Sequence, residues 1–310
     1  MTAGAPDWGD RPGTVICLGL SAFDYIWQVE RLPEGRSDKV RAPEFLTKGG
    51  GMAATAAVAV ARLGGRPSFW GRAGEDREGA AMRDELAAEG VDVSGFRLFG
   101  GARSSISGVF VDPAGERHIA NFRGQGLPPA PDWLPLDAVA KAGAILADPR
   151  WPEGAEAAFA AARKVGIPTI LDADVADREV FERLLPLTDH AIFSAPALLG
   201  FAGADTEGAL GSVAAFGCRI AAVTLGGDGV LWREHGATAS RPALPVAIVD
   251  TTGAGDVFHG AYALAIAKGA PTAHAMEFAG VAAALKCTQA GGRRGIPTLE
   301  QTMRFWRDNS

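Results

Sequence analysis

Apolar residues along this chain come in short compact runs separated by longer stretches of helical periodicity. Thr14–Leu20 predicts a buried strand, and Pro67–Gly71, Ala144–Ala147, Thr169–Asp172, Ala191–Ser194 and Ile220–Thr224 repeat the pattern. Between them lie an Ala/Val-rich stretch that follows Gly49-Gly50-Gly51 and stops at Gly64-Gly65, the segment Arg77–Gly90 with charges on one face, and Gly154–Gly166. Strands that are apolar throughout and alternate with helices predict an α/β fold: a doubly wound, mostly parallel sheet with helices on both faces.

Two segments break this rhythm. One is Tyr25–Val40; the other, Ser104–Asn121, has the pattern of a hairpin around the turn Asp112-Pro113-Ala114-Gly115. Hairpin strands do not belong to a βαβ crossover, so these segments predict a small separate sheet over the cleft. The expected lid spans about 25–48 and 102–124, inserted in a single domain that covers residues 1–310. No internal repeat, low-complexity tract or extended linker interrupts the chain.

Composition narrows the classes. At 310 residues and 47% hydrophobic content the chain has material for a large core, and 21% charged residues speaks against disorder. A net charge of −6 argues against a broad basic surface for nucleic acid. Cys17, Cys218 and Cys287 show no metal or redox spacing and read as small buried hydrophobes in a reducing compartment. The polar stretch Met1–Gly13 reads as a frayed tail rather than a signal peptide, and no apolar run reaches membrane-spanning length. The expectation is a soluble, cytoplasmic protein without membrane or nucleic-acid partners.

The most informative chemistry lies between Val246 and Gly269. The β-branched run Val246–Val249 precedes a turn, Gly253-Ala254-Gly255, and Asp256 opens an Ala-rich helical stretch ending at Lys268-Gly269. A glycine turn at a helix start aims free N–H groups and the positive end of the helix dipole at one point. An acid at that point suits a base beside an anion, the arrangement phosphoryl transfer needs. Taken alone, the same four residues would serve equally well as an ordinary turn and helix cap.

The longer string, Asp250-Thr-Thr-Gly-Ala-Gly-Asp-Val-Phe-His-Gly-Ala261, resembles the C-terminal signature of the ribokinase/PfkB carbohydrate kinases. The N-terminal signature of that family is matched by Gly49-Gly50-Gly51 and by Gly71-Arg-Ala-Gly-Glu-Asp-Arg-Glu-Gly79. The resemblance implies a ribokinase-like fold with a β-lid that often builds a homodimer, ATP and Mg²⁺ as cofactors, and Asp256 as catalytic base. It also implies an anion hole from the amides of Gly253, Ala254, Gly255 and Asp256, with Gly253 and Gly255 facing the nucleotide as well. Val223-Thr-Leu-Gly-Gly-Asp-Gly-Val230 resembles the nucleotide loop, which assigns ATP contacts to Thr224, Gly226 and Gly229, with Asp228 solvated. Ala283–Gly295 would supply the adenine side through its glycine pair, its arginines being read as solvated. Asp24, after the first strand, would accept two sugar hydroxyls, and Gly49, Gly50 and Gly51 would let the backbone approach the sugar.

The chain also departs from the pattern. The asparagine that often follows two of the N-terminal glycines is absent, with Gly51-Met52 in its place. The N-x-x-E that helps organise Mg²⁺ is replaced by Ser194-Ala-Pro-Ala197, so no side chain is assigned as a metal ligand. Segments such as Ile145–Trp151, Thr169–Asp174 and Ala284–Thr288 are similar to the branch of the family that phosphorylates 6-deoxy-6-sulfofructose. That similarity implies a sulfonate receptor made of Lys39, Asn121 and Arg150, chemically sensible for an anion with three acceptor oxygens. Each also has a plain structural reading: a solvated lysine, a turn former, an ion pair. The expected function is ATP-dependent phosphorylation of a primary hydroxyl of a ketose, with a neutral ketose or sugar phosphate as alternatives and a non-catalytic sugar- and nucleotide-binding regulator behind them.

Overall fold

The structure is a computed structural model that describes Trp8, residues 11–35 and residues 37–309. Most of the tail expected over Met1–Gly13 lies outside the described residues. Trp8, however, packs edge-on against Phe278 with ring centroids 4.5 Å apart.

The chain opens with β1 (Thr14–Gly19), then β2 (Ala22–Gln28) and β3 (Glu44–Gly50), which lead into α1 (Met52–Arg62), β4 (Arg66–Gly74), α2 (Arg77–Ala88) and β5 (Phe96–Phe99). A hairpin, β6 (Ile106–Val111) and β7 (Arg117–Phe122), follows. The alternation resumes with β8 (Ala144–Ala147), α3 (Pro152–Val165), β9 (Thr169–Ala173), α4 (Arg178–Leu184), β10 (His190–Ser194), α5 (Ala195–Ala202), α6 (Thr206–Ala214) and β11 (Ile220–Thr224). An antiparallel edge pair, β12 (Val230–Glu234) and β13 (Ala237–Arg241), precedes the helices α7 (Ala254–Ala267), α8 (Thr272–Cys287) and α9 (Leu299–Asp308).

These strands form a nine-stranded sheet in the order β13-β12-β11-β10-β9-β8-β1-β4-β5, parallel from β11 to β5. Helices cover both faces. One core layer joins α1, α7 and α8 to one face, and the other joins α3, α4, α5 and α6 to the opposite face. The apolar runs β8 to β11 are buried almost throughout, as a parallel sheet covered on both faces requires.

The segments that broke the rhythm build a second, four-stranded sheet in the order β3-β2-β6-β7. Its hairpin turn is closed by Gly115 N–H donating to the carbonyl of Asp112 at 3.0 Å.

Two local features bear on the site. Val246–Val249 forms no strand, and Ile248 and Val249 stand 70% and 62% exposed. After β13 the chain has left the sheet's edge and must cross the mouth of a cavity to reach α7, so these apolar residues line that cavity or face solvent. Gly49 and Gly50 belong to the end of β3 rather than to a turn, and only Gly51 caps α1, with φ +93°. A Cβ on Gly51 would strike the carbonyl oxygen of Leu20, so this position requires glycine twice over.

Candidate active site

The carboxyl ends of parallel strands form the crevices where α/β proteins bind ligands. Here α7 begins beside those ends. Gly253, with φ +76°, is its N-cap, and Val257 N–H closes the first turn onto the Gly253 carbonyl at 2.9 Å. Gly255 and Asp256 lie in that first turn, where backbone N–H groups have no intrahelical acceptor. Asp256 therefore sits two residues inside the helix rather than at its opening.

Burial pushes the Asp256 carboxyl well above the ordinary carboxylate range, and the negative charge of Asp172 adds to it; His259 and Arg293 pull the other way. His259, one turn further along α7, is buried and held neutral by that burial. Its Nδ1 donates to the Gly255 carbonyl at 2.8 Å and lies 3.4 Å from Asp172 Oδ2. The back of the glycine turn is thus tied to β9.

A cavity of about 560 Å³ opens beside this turn, bounded by Thr224, Gly226, Gly229, Gly255, Phe258 and Met276 among others. Thr224 ends β11, and the 225–229 loop turns tightly, with Gly226 and Gly229 at positive φ. A Cβ on Gly229 would run into the backbone of Arg241 and Ala243. Ala283 and Cys287 form the wall opposite, so Ala283–Gly295 reaches this cavity through α8.

On the other side, the lid sheet presents one polar row. Lys48, Asp24, Ser107 and Asn121 are direct partners across β3, β2, β6 and β7, so their side chains share a face. Asn121 Nδ2 donates to Ser107 Oγ at 3.2 Å. Burial raises the Asp24 carboxyl, opposed by its bond from Ser107 and by the charges of Lys48 and Arg293. Lys39 stands outside this row, exposed in the loop between β2 and β3. Arg150 follows β8, and its guanidinium binds Asp174 at 2.9 Å and the Val175 carbonyl at 2.7 Å.

Several residues here escaped the sequence reading. Arg293 is 5% exposed rather than solvated; it donates to the Gly50 carbonyl at 2.6 Å and Thr55 Oγ1 at 3.1 Å, and pairs with Glu85 at 3.3 Å. Its signal was a pair of arginines enclosed by glycines, Gly291-Gly-Arg-Arg-Gly295, of which only the first turns inward. Lys48, directly before the glycines, ends the expected lid span 25–48 and joins the polar row opposite Asp24. Asp148 is fully buried and accepts N–H groups from Leu20, Ala53 and Arg150, which clamps the ends of β1 and β8 to the start of α1. Within Gly71–Gly79, Asp76 caps α2 through Gly79 N–H at 2.8 Å and accepts Ser104 N–H at 2.7 Å, so that motif anchors the root of β6.

Residues 13–299 match the model of the pfkB family carbohydrate kinases. The Klebsiella pneumoniae fructokinase is 32% identical over 304 residues, covering 89% of this chain and 95% of that protein. The Haemophilus influenzae ribokinase is 28% identical, covering 94% of this chain and 98% of its own. Among solved structures, one from Agrobacterium tumefaciens superposes with a TM-score of 0.90 at 39% identity, over 97% of this chain and all of the other (100%). Arabidopsis thaliana ribokinase, complexed with ribose and ATP, gives 0.84 at 26% identity over 95% and 98% of the two chains. The glycine turn with its half-buried acid, the loop after β11 and the lid over the crevice therefore stand in a chain that belongs to the pfkB family of carbohydrate kinases.

Proposed function

We propose that this carbohydrate kinase transfers the γ-phosphoryl group of ATP to a primary hydroxyl of a ketose, with 6-deoxy-6-sulfofructose as substrate. The carrying observation is the meeting of the half-buried carboxyl of Asp256 with the first-turn amides of α7 at the rim of the 560 Å³ cavity. In this reading Asp256 takes the proton of the attacking hydroxyl, and the amides of Gly253 to Asp256 hold the charge that develops on the moving group. Thr224, Gly226, Gly229 and Gly255 contact the nucleotide. Among the described residues no group of His, Cys, Asp or Glu side chains is arranged to hold a metal ion. Mg²⁺ enters as a companion of the ATP phosphates, whose charge it neutralises.

The sugar would lie between this turn and the polar lid row, with Asp24 and the Gly49–Gly51 backbone reading its hydroxyls. The similarity that assigns Lys39, Asn121 and Arg150 to its receptor supports an anionic sugar, as does Lys48 beside Asp24; the Arg293 charge there is paired with Glu85. One observation favours a second reading. The Arg150 charge is already matched by Asp174, which suits a neutral ketose such as fructose. A sugar phosphate would engage the same cations. Arg150→Ala separates these cases on 6-deoxy-6-sulfofructose, fructose 6-phosphate and fructose. A charge-assisted bond contributes roughly 1.5–3 kcal/mol, so kcat/KM should fall by about one to two decades for the anionic sugar and little for fructose. Equal loss on all three would make Arg150 a structural ion pair and return the substrate to a neutral ketose.

The reading extends to a homodimer formed through the lid sheet, supported by Leu46 and Ile119, which stand 44% and 61% exposed on it. A cytoplasmic location fits an ATP-dependent enzyme with three unpaired cysteines; recovery in the soluble cytoplasmic fraction tests it.

A further inference from the structure

Lys286, in the last turn of α8, has 0% side-chain exposure. An ammonium is buried only where oxygens replace its water, and here they come from one residue. Nζ donates to the Asp250 carbonyl at 2.7 Å and lies 3.5 Å from Asp250 Oδ2.

Asp250 is itself a junction. Its carboxylate accepts Thr252 N–H at 2.9 Å and the N–H groups of Gly291 and Gly292 at 3.2 Å each. The Val249 and Asp250 N–H groups both donate to the Cys287 carbonyl, at 2.8 and 3.1 Å. The stretch 249–252 is thereby stitched to the end of α8 and to the 291–292 turn. On one side the chain runs directly into the turn Gly253–Asp256. On the other, Gly292 precedes Arg293, whose guanidinium holds the Gly50 carbonyl, Thr55 and Glu85. One buried cation therefore sits where the phosphoryl-transfer turn and the lid-side pocket are fastened together, yet it touches neither.

We propose that Lys286 is a positioning residue, a tethered cation that keeps the Gly253–Asp256 turn in register with the sugar pocket and makes a free monovalent ion unnecessary at that junction. The proposal rests on the assignment of that turn as the anion hole. The chemistry suits lysine rather than arginine: the site offers a carbonyl and a carboxylate oxygen to a compact point charge, not a planar fork. Deleting the ammonium while keeping the stem leaves an oxygen-lined hole of matching charge, which a small cation can fill.

Lys286→Met provides the test, assayed at matched ionic strength in choline, potassium, ammonium or methylammonium chloride. In choline, kcat should fall about 10- to 100-fold with the sugar KM changed by less than about threefold, the signature of a displaced catalytic group. Ammonium and potassium should restore kcat and raise the variant's melting temperature, whereas wild type should respond to neither. Full turnover of Lys286→Met while Asp256→Asn is inactive overturns the positioning role alone. Full turnover of both variants overturns the anion-hole assignment and this proposal with it. If Lys286→Met does not fold, wild type still decides: activation by potassium or ammonium over choline would show that the junction needs a free ion and sink the proposal.

Discussion

In its proposed role as base, Asp256 joins two demands that pull against each other. A base must be ionised to accept a proton, yet the burial that excludes water from the transfer site, with Asp172 beside it, favours its neutral form. The rate profile should show this: kcat/KM should rise with pH along a limb lying above the ordinary carboxylate range. Asp172→Asn should move that limb to lower pH, and an unmoved limb would leave burial as its whole cause. Asp256→Asn should lower kcat by about 10²–10⁴-fold, the usual worth of a general base. The same change should stabilise the fold at neutral pH. Because the folded-state pKa is raised, the folded chain binds more protons than the unfolded one, and stability falls as pH rises through the folded value. The amide escapes that loss, so the variant should melt above wild type at neutral pH and converge with it in acid. A variant that melts lower at neutral pH would mean the carboxylate is stabilised by contacts that outweigh its burial.

At the scale of elements, the periodicity was legible wherever one residue pattern maps to one environment. The buried strands β8, β9, β10 and β11 fall within a residue or so of the apolar runs that predict them, because a strand covered on both faces has no polar alternation to confuse it. The glycine turn before α7 was legible because its chemistry is local. Arg293 and Lys286 were hidden because their roles come from partners as far away as Gly50 and Asp250, and no local spacing records them. Helix packing holds a similar long-range constraint. At Gly260, α7 lies so close to α1 that a Cβ would stand 2.5 Å from the Ala56 carbonyl oxygen and 3.1 Å from Ala59 Cβ. Gly260→Ala should therefore destabilise by roughly 1–3 kcal/mol, an overpacking cost. Gly280→Ala, within α8 and with nothing inside 4 Å of its Cβ, should gain roughly 0.4–1 kcal/mol by restricting the unfolded chain. Urea midpoints of the two variants measure the contrast, and equal effects would mean the α1–α7 contact yields without cost.

On the scale of the whole molecule, the lid is where the proposed substrate closure and the proposed assembly would meet. Its polar row faces the crevice with Asp24 and Asn121, and Arg117 on β7 donates to Thr252 next to the glycine turn, so the lid already touches the transfer site. Two residues further along the same face, the row Ile26, Leu46, Val109 and Ile119 is apolar and half covered: Ile26 and Val109 are buried at 8% each, while Leu46 and Ile119 remain open. A four-stranded sheet with apolar residues left at both of its outer strands is suited to a second copy laid across it, since isolated sheets with open edges are otherwise prone to nonspecific pairing. The proposed homodimer would therefore order β3 and β7 together and, through Arg117, steady the turn that holds the moving phosphoryl group. Replacing Leu46 and Ile119 together by Asp should give a monomer in sedimentation equilibrium, with the far-UV spectrum unchanged because neither residue supports the central sheet. Sugar KM should rise with it, as a lid lacking its partner closes less often. A double variant that remains dimeric would place the interface elsewhere, and a monomer with unaltered sugar KM would show that the lid closes without help from a second chain.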